Sequence, residues 1–148
     1  MMTRRMVLLS AVAPLARADS AQQVWDLFGD MAAALSAGNP QQFLTAFNKT
    51  MPGYNRLSVD VNALTNEFEI QNSVDFNKNE GDDQKRTVEA DWLMTLRPVQ
   101  NLNLRDPRAE VLATAAREKV LKCSLVKQGR KWKIDSLEPA DFFAPPAP

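Results

Sequence analysis

The chain carries 18 acidic and 18 basic residues, one cysteine, one tyrosine and no histidine, so acid/base chemistry near neutral pH falls to its carboxylates. Without histidine there is no imidazole proton transfer and no His-ligated metal site. With Cys123 alone there is no intramolecular disulfide and no thiolate cluster. Cys123 alternates with Leu121 and Leu125, a setting that predicts an inert, buried thiol. The run Asp75-Phe-Asn77-Lys-Asn79-Glu80-Gly81 approaches a calcium loop, but its glycine falls one place late and Arg86 stands where a bidentate acid is required. It reads as the end of a solvated hairpin, and no metal or cofactor is expected. Asp75 and Asp91 remain as bases, provided the strands that carry them turn them inward.

The elements that position these groups follow from periodicity. Val24, Phe28, Met31 and Leu35 recur every three to four residues behind Ser20-Ala-Gln-Gln23, which has the pattern of a capping box. Gly38 ends that helix, and Asn39-Pro40 starts a second with Phe43, Leu44 and Phe47 on its buried side. Pro52-Gly53 breaks the chain, and Leu57, Val61 and Leu64 mark a third, short helix.

After Thr65 the period changes to two. Phe68, Ile70, Val74 and Phe76 alternate with polar residues, as do Val88, Ala90, Trp92, Met94 and Leu96, with a turn at Asn79–Asp83. A third strand is expected near Ala115–Lys127 and a fourth over Lys131–Leu137, joined at Gln128-Gly129-Arg130. Between Pro98 and Arg108 lies a polar connection in which Asp106-Pro107 has the form of a helix start. Three helices followed by four strands give an α+β fold, with helices on one face of an antiparallel sheet. Strand parity then sends Glu69, Asp75, Glu89, Asp91 and Thr95 outward. The inward polar list is Asn72, Cys123 and Ser136.

Both ends of the chain carry separate information. Arg4-Arg5, the apolar stretch Met6–Ala16 and the small residues Ala16 and Ala18 form a signal peptide over residues 1–18. Thr3-Arg4-Arg5-Met6-Val7-Leu8 is similar to a twin-arginine export signal, so a periplasmic or secreted product is expected. The apolar run is too short for a membrane anchor. Removing Arg4, Arg5 and Arg17 with no acid takes the 18 basic residues to 15 against 18 acidic ones, which gives no electrostatic reason to bind nucleic acid. The folded domain is expected over residues 19–139 and a Pro-rich tail over 140–148. Phe142-Phe143 in that tail is expected to dock on the domain, its pocket mouth or a partner.

The long N-terminal amphipathic helix, two further helices, a long hairpin and the closing Gly129-x-x-Trp132-x-Ile134 pair resemble the nuclear transport factor 2-like superfamily over most of residues 20–138. That superfamily includes polyketide-cyclase-like and ketosteroid-isomerase-like proteins. The resemblance implies a cone-shaped, cystatin-like fold in which a strongly curved sheet wraps the first helix and leaves a pocket. Here the lining would be Trp25, Phe28, Asn72, Trp92, Met94, Cys123, Trp132 and Ser136. The histidine of the cyclase-like and dehydratase-like sites has no counterpart in this chain. The isomerase-like site combines a tyrosine and two aspartates within the cavity. The one tyrosine here, Tyr54, falls at an expected helix start rather than on the first helix, where Trp25 and Phe28 sit. The alternative acid/base set is Asp91 or Asp75 with Tyr54.

The resulting expectation is an exported, non-catalytic domain that binds a small apolar ligand or a protein partner. The alternative is an isomerase- or dehydratase-like enzyme using a cavity carboxylate. A monomer or weak homodimer is expected, because Leu93 is the one apolar residue among Glu89, Asp91 and Thr95 on the outer face of that strand. N-terminal sequencing of exported protein should begin at Asp19, and intact Met1 in that fraction would contradict the signal peptide.

Overall fold

The computed structural model describes residues 20–99 and 115–146. The expected signal peptide and the Asp106-Pro107 helix start lie outside the described residues. Helix α1 covers residues 20–36 and turns Val24, Phe28, Met31 and Leu35 into the core, as its periodicity requires. Ser20 already lies within this helix, and its hydroxyl donates to Asp83 Oδ1 at 2.7 Å. The capping-box expectation therefore gives way to a tether between α1 and the hairpin turn. Gly38, at φ 70°, provides the left-handed residue that ends the segment.

Asn39 caps α2 (Pro40–Leu44) by accepting from the Gln42 amide at 3.1 Å. Helix α3 (Tyr54–Glu67) has 14 residues, longer than the short helix expected from three apolar positions. The sheet holds β1 (Phe68–Gly81), β2 (Lys85–Pro98), β3 (Ala115–Gln128) and β4 (Lys131–Glu138), paired antiparallel in that order. Beyond β4, the 46–48 segment pairs with Ile134 through two backbone hydrogen bonds of 2.8 Å, covering that stretch of the sheet edge.

The first hairpin closes later than expected, over Asp82–Gln84, because Asp82 Oδ1 accepts from the Gln84 and Lys85 amides at 2.8 and 2.9 Å. Gly81 is required beside it: a Cβ there would lie 2.2 Å from the Lys85 carbonyl oxygen. The buried Arg86 binds the Asn79 side-chain oxygen and the Asn79 carbonyl, both at 2.9 Å, and so pins the strand ends together.

Two bulges break the sheet's alternation. Asn77 is the extra residue between Phe76 and Lys78, and Asp135 the extra residue opposite Ser124 and Leu125. The inward face of the sheet presents Ile70, Val88, Ala90, Trp92, Met94, Leu96, Leu121, Cys123, Leu125, Trp132, Ile134 and Leu137, all buried. The helices supply Phe28, Leu35, Phe43, Leu57, Val61 and Leu64 to the same core. After β4 a single 3-10 turn (Ala140–Phe143) adds Phe142 and Phe143 to that core, placing them within the domain.

Trp92 is wholly buried at the centre of this arrangement, between Phe28 on one side and Phe143 on another. Trp92→Ala should cost about 3–5 kcal/mol of unfolding free energy, measured by denaturant titration. A loss below about 1 kcal/mol would contradict this placement.

Candidate functional site

The expected pocket lining falls where β1, β2, β3, α1 and the C-terminal turn meet, a region packed with buried side chains. Asn72 stands on the inward face of β1, opposite Met94. Its side-chain oxygen accepts the Trp92 indole N–H at 2.9 Å, and its amide donates to the Ala32 carbonyl at 3.0 Å and to Ser36 Oγ at 3.1 Å. Every one of these contacts is structural, since they latch the sheet to α1. Trp132 is buried in the same way, its indole N–H bonded to Gln23 Oε1 at 3.0 Å.

Phe28, Trp92, Met94 and Cys123 are buried together in the core. Burial pushes the Cys123 thiol up to about 12, so no reactive thiolate is available there near neutral pH. Trp25 is placed differently from the rest of the expected lining. It is 46% exposed on the outer side of α1, where its ring meets Phe76 edge-on at 4.7 Å. With Phe28 and Val74 it borders a small apolar cleft of about 120 Å³ between α1 and β1.

Ser136 is a correction. The Asp135 bulge shifts the parity of β4, so Leu137 turns inward and Ser136 pairs with the outward Ser124, to which it is hydrogen-bonded. A strand read without its bulge places every later side chain on the wrong face.

The acid/base candidates do not converge. Asp75 and Asp91 are direct cross-strand partners on the outer face of the sheet. Neither bulge reverses their parity, because Asn77 lies beyond Asp75 on β1. Tyr54 lies at the start of α3, in a groove of about 730 Å³ shared with Thr45, Asn48, Ser58 and Lys133. Asp91 has a different neighbour, Glu118 of β3. The Asp91 carboxylate accepts a hydrogen bond from the protonated Glu118 carboxyl, and that bond together with the negative charge of Asp91 raises Glu118 above its ordinary value. Among the described residues no cluster of His, Cys, Asp or Glu could hold a metal ion.

The inward register also carries cations that the expected polar list lacks: Arg86, Lys119 and, with contacts to the C-terminal turn, Arg117. Arg117 lies on β3 opposite Met94, and its Nη1 donates to the Phe142 and Ala144 carbonyls at 2.6 and 2.7 Å. Its guanidinium also faces the Phe142 ring, 6.0 Å from the centroid. Burial draws the Arg117 pKa down and the charge of Asp141 opposes that shift. The signal was available: Arg117 shares parity with Leu121 and Cys123.

The Glu118 proton has a measurable consequence. Carboxyl NMR titration should find Glu118 above the ordinary glutamate value, and Asp91→Asn should lower it. A raised acid pKa in the folded state means the contribution to stability is present at low pH. It is lost as pH rises through the folded Glu118 value.

No protein-family model matches the chain, and neither does any curated protein sequence. Solved structures do match. A candidate scytalone dehydratase from Novosphingobium aromaticivorans aligns over 93% of this chain and 85% of its own, with a TM-score of 0.64 and 11% identity. A nuclear transport factor 2-like superfamily protein from Salmonella enterica aligns over 81% of this chain and 89% of its own, with a TM-score of 0.60 and 10% identity. A protein of unknown function with a cystatin-like fold from Nostoc punctiforme covers 78% of this chain and 86% of its own, with a TM-score of 0.56 and 15% identity. These likenesses concern the fold alone: the chain has the nuclear transport factor 2-like, cystatin-like α+β fold.

Proposed function

We propose that this chain is an exported, non-catalytic domain whose cone binds a small apolar ligand or a segment of a protein partner. The observation that carries the reading is the division of the sheet into two faces. Asp75 and Asp91 stand on the outer face, whereas the inner face presents Trp92, Met94, Leu121 and Cys123. An isomerase- or dehydratase-like site needs an ionisable group beside the substrate inside the cone. Asn72, the polar side chain expected there, already has its amide and carbonyl engaged with α1 and Trp92.

Export rests on the order of charge, apolar stretch and small residues over residues 1–18. No helix among the described residues is long and apolar enough to cross a membrane. A reporter fused to residues 1–18 should remain in the cytoplasm of a strain lacking twin-arginine transport. Unaffected export would contradict that route.

Native mass spectrometry of protein purified from the periplasm should detect a retained apolar molecule or peptide. Asp75→Asn, Asp91→Asn and Tyr54→Phe should each keep it, because general acid/base groups contribute about 10²–10⁴-fold to rate and nothing to apolar capture. Loss of biological activity with Asp91→Asn alone, in a folded protein, would overturn the binding reading in favour of an enzyme.

A further inference from the structure

We propose that the cone mouth is a receptor for an aryl carboxylate, with Arg117 as its anion-binding group and the chain's own C-terminal turn as the resident occupant. This deepens the binding reading and rests on it. Arg117 stands on the same strand face as the buried Leu121 and Cys123. A half-buried guanidinium gains from acceptors, and a charged acceptor forms the stronger bond. Among the described residues its hydrogen-bond acceptors are neutral, the Phe142 and Ala144 carbonyls, both on a single nitrogen of a group that offers five N–H donors. Asp141 acts on it through charge without a hydrogen bond. Among the described residues none forms an ion pair with Arg117.

The occupant shows what shape the mouth accepts. Phe143 is fully buried, its ring 4.9 Å from Phe43 and 5.2 Å from Trp92, both edge-on. Its ring is joined to the Phe142 carbonyl oxygen through the carbonyl carbon, the amide nitrogen, Cα and Cβ. The turn therefore presents an aromatic ring in an aromatic box and, at fixed covalent spacing, an oxygen on a guanidinium. 4-Phenylbutanoate reproduces that spacing, with its carboxyl carbon and three methylenes between oxygen and ring. It also replaces a neutral acceptor by a carboxylate.

The turn is suited to displacement. Its amide hydrogen bonds are local, from the Phe142 amide to Pro139 O at 3.3 Å and from the Ala144 amide to Asp141 O at 3.0 Å, and its carbonyls reach the sheet through the Arg117 side chain. It joins no strand of the sheet. A ligand ring entering the box would replace the Phe143 ring it expels, so apolar burial is conserved while the Arg117 partner gains charge.

The test titrates the full chain with 4-phenylbutanoate and with its neutral isostere 4-phenylbutanamide, by calorimetry and amide hydrogen exchange. In the wild type, the acid at millimolar concentration should bind and speed exchange at the Phe142 and Ala144 amides. Phe143→Ala should tighten the acid about tenfold, because its own ring no longer competes. The acid should exceed the amide by about tenfold, and Arg117→Gln in the Phe143→Ala background should abolish that preference. Phe143→Leu serves the same comparison if Phe143→Ala does not fold. Equal affinity for acid and amide, or a preference that survives Arg117→Gln, would overturn the anion receptor while leaving an apolar binding site. Unchanged exchange in the wild type would overturn the displaceable occupant. Failure of every variant to bind either compound would overturn the binding reading itself.

Discussion

The structure depends on the burial of one indole. Trp92 is completely enclosed, and a buried N–H without an acceptor costs about 1–3 kcal/mol. Asn72 supplies that acceptor, and its amide in turn binds Ala32 and Ser36 on α1. One side chain thus fixes the distance between the first helix and the sheet. Around the same ring, Phe28 comes from α1 and Phe143 from the C-terminal turn. Three segments far apart in sequence are placed by a single residue.

That arrangement also determines where chemistry can occur. Alternation along β2 that buries Val88, Ala90, Trp92 and Met94 must expose Glu89, Asp91 and Leu93 toward the other side. The carboxylates are therefore held outside by the same pattern that builds the core. Asp91 meets Glu118 there, and its charge and hydrogen bond raise the Glu118 carboxyl above its ordinary value. On the inward side of the strands, among the described residues, the charged groups are cations: Arg117 turned onto main-chain oxygens, Arg86 bonded to Asn79, and Lys119 opposite Trp92.

Much of this was legible in the sequence, for a physical reason. Helices α1 and α2 and the β1–β2 hairpin bury one face each, so their periods of 3.6 and 2 record which side is inward. The outward positions of Asp75 and Asp91 followed from that parity alone. Ser136 was misplaced because a bulge leaves no mark in the pattern: Asp135 is simply one more polar residue in a strand that reads as alternating. The full length of α3 was hidden because Tyr54, Asn55 and Arg56 precede its first apolar contact. Arg117 went unnoticed because a charge near a strand end reads as solvated, and its partners belong to a turn 25 residues away with no periodicity of its own. The Ser20 hydroxyl likewise binds across the fold to Asp83, a contact that local capping rules do not anticipate.

The C-terminal turn is packed into the core against Trp92. A double-mutant cycle between Trp92→Phe and Phe143→Leu, read by denaturant unfolding, tests it most directly. Edge-on aromatic pairs contribute about 0.5–1.5 kcal/mol beyond the area they bury, so a coupling energy in that range is expected. Two substitutions that add within about 0.3 kcal/mol would contradict the contact and, with it, the closure of the cone by the chain's own end.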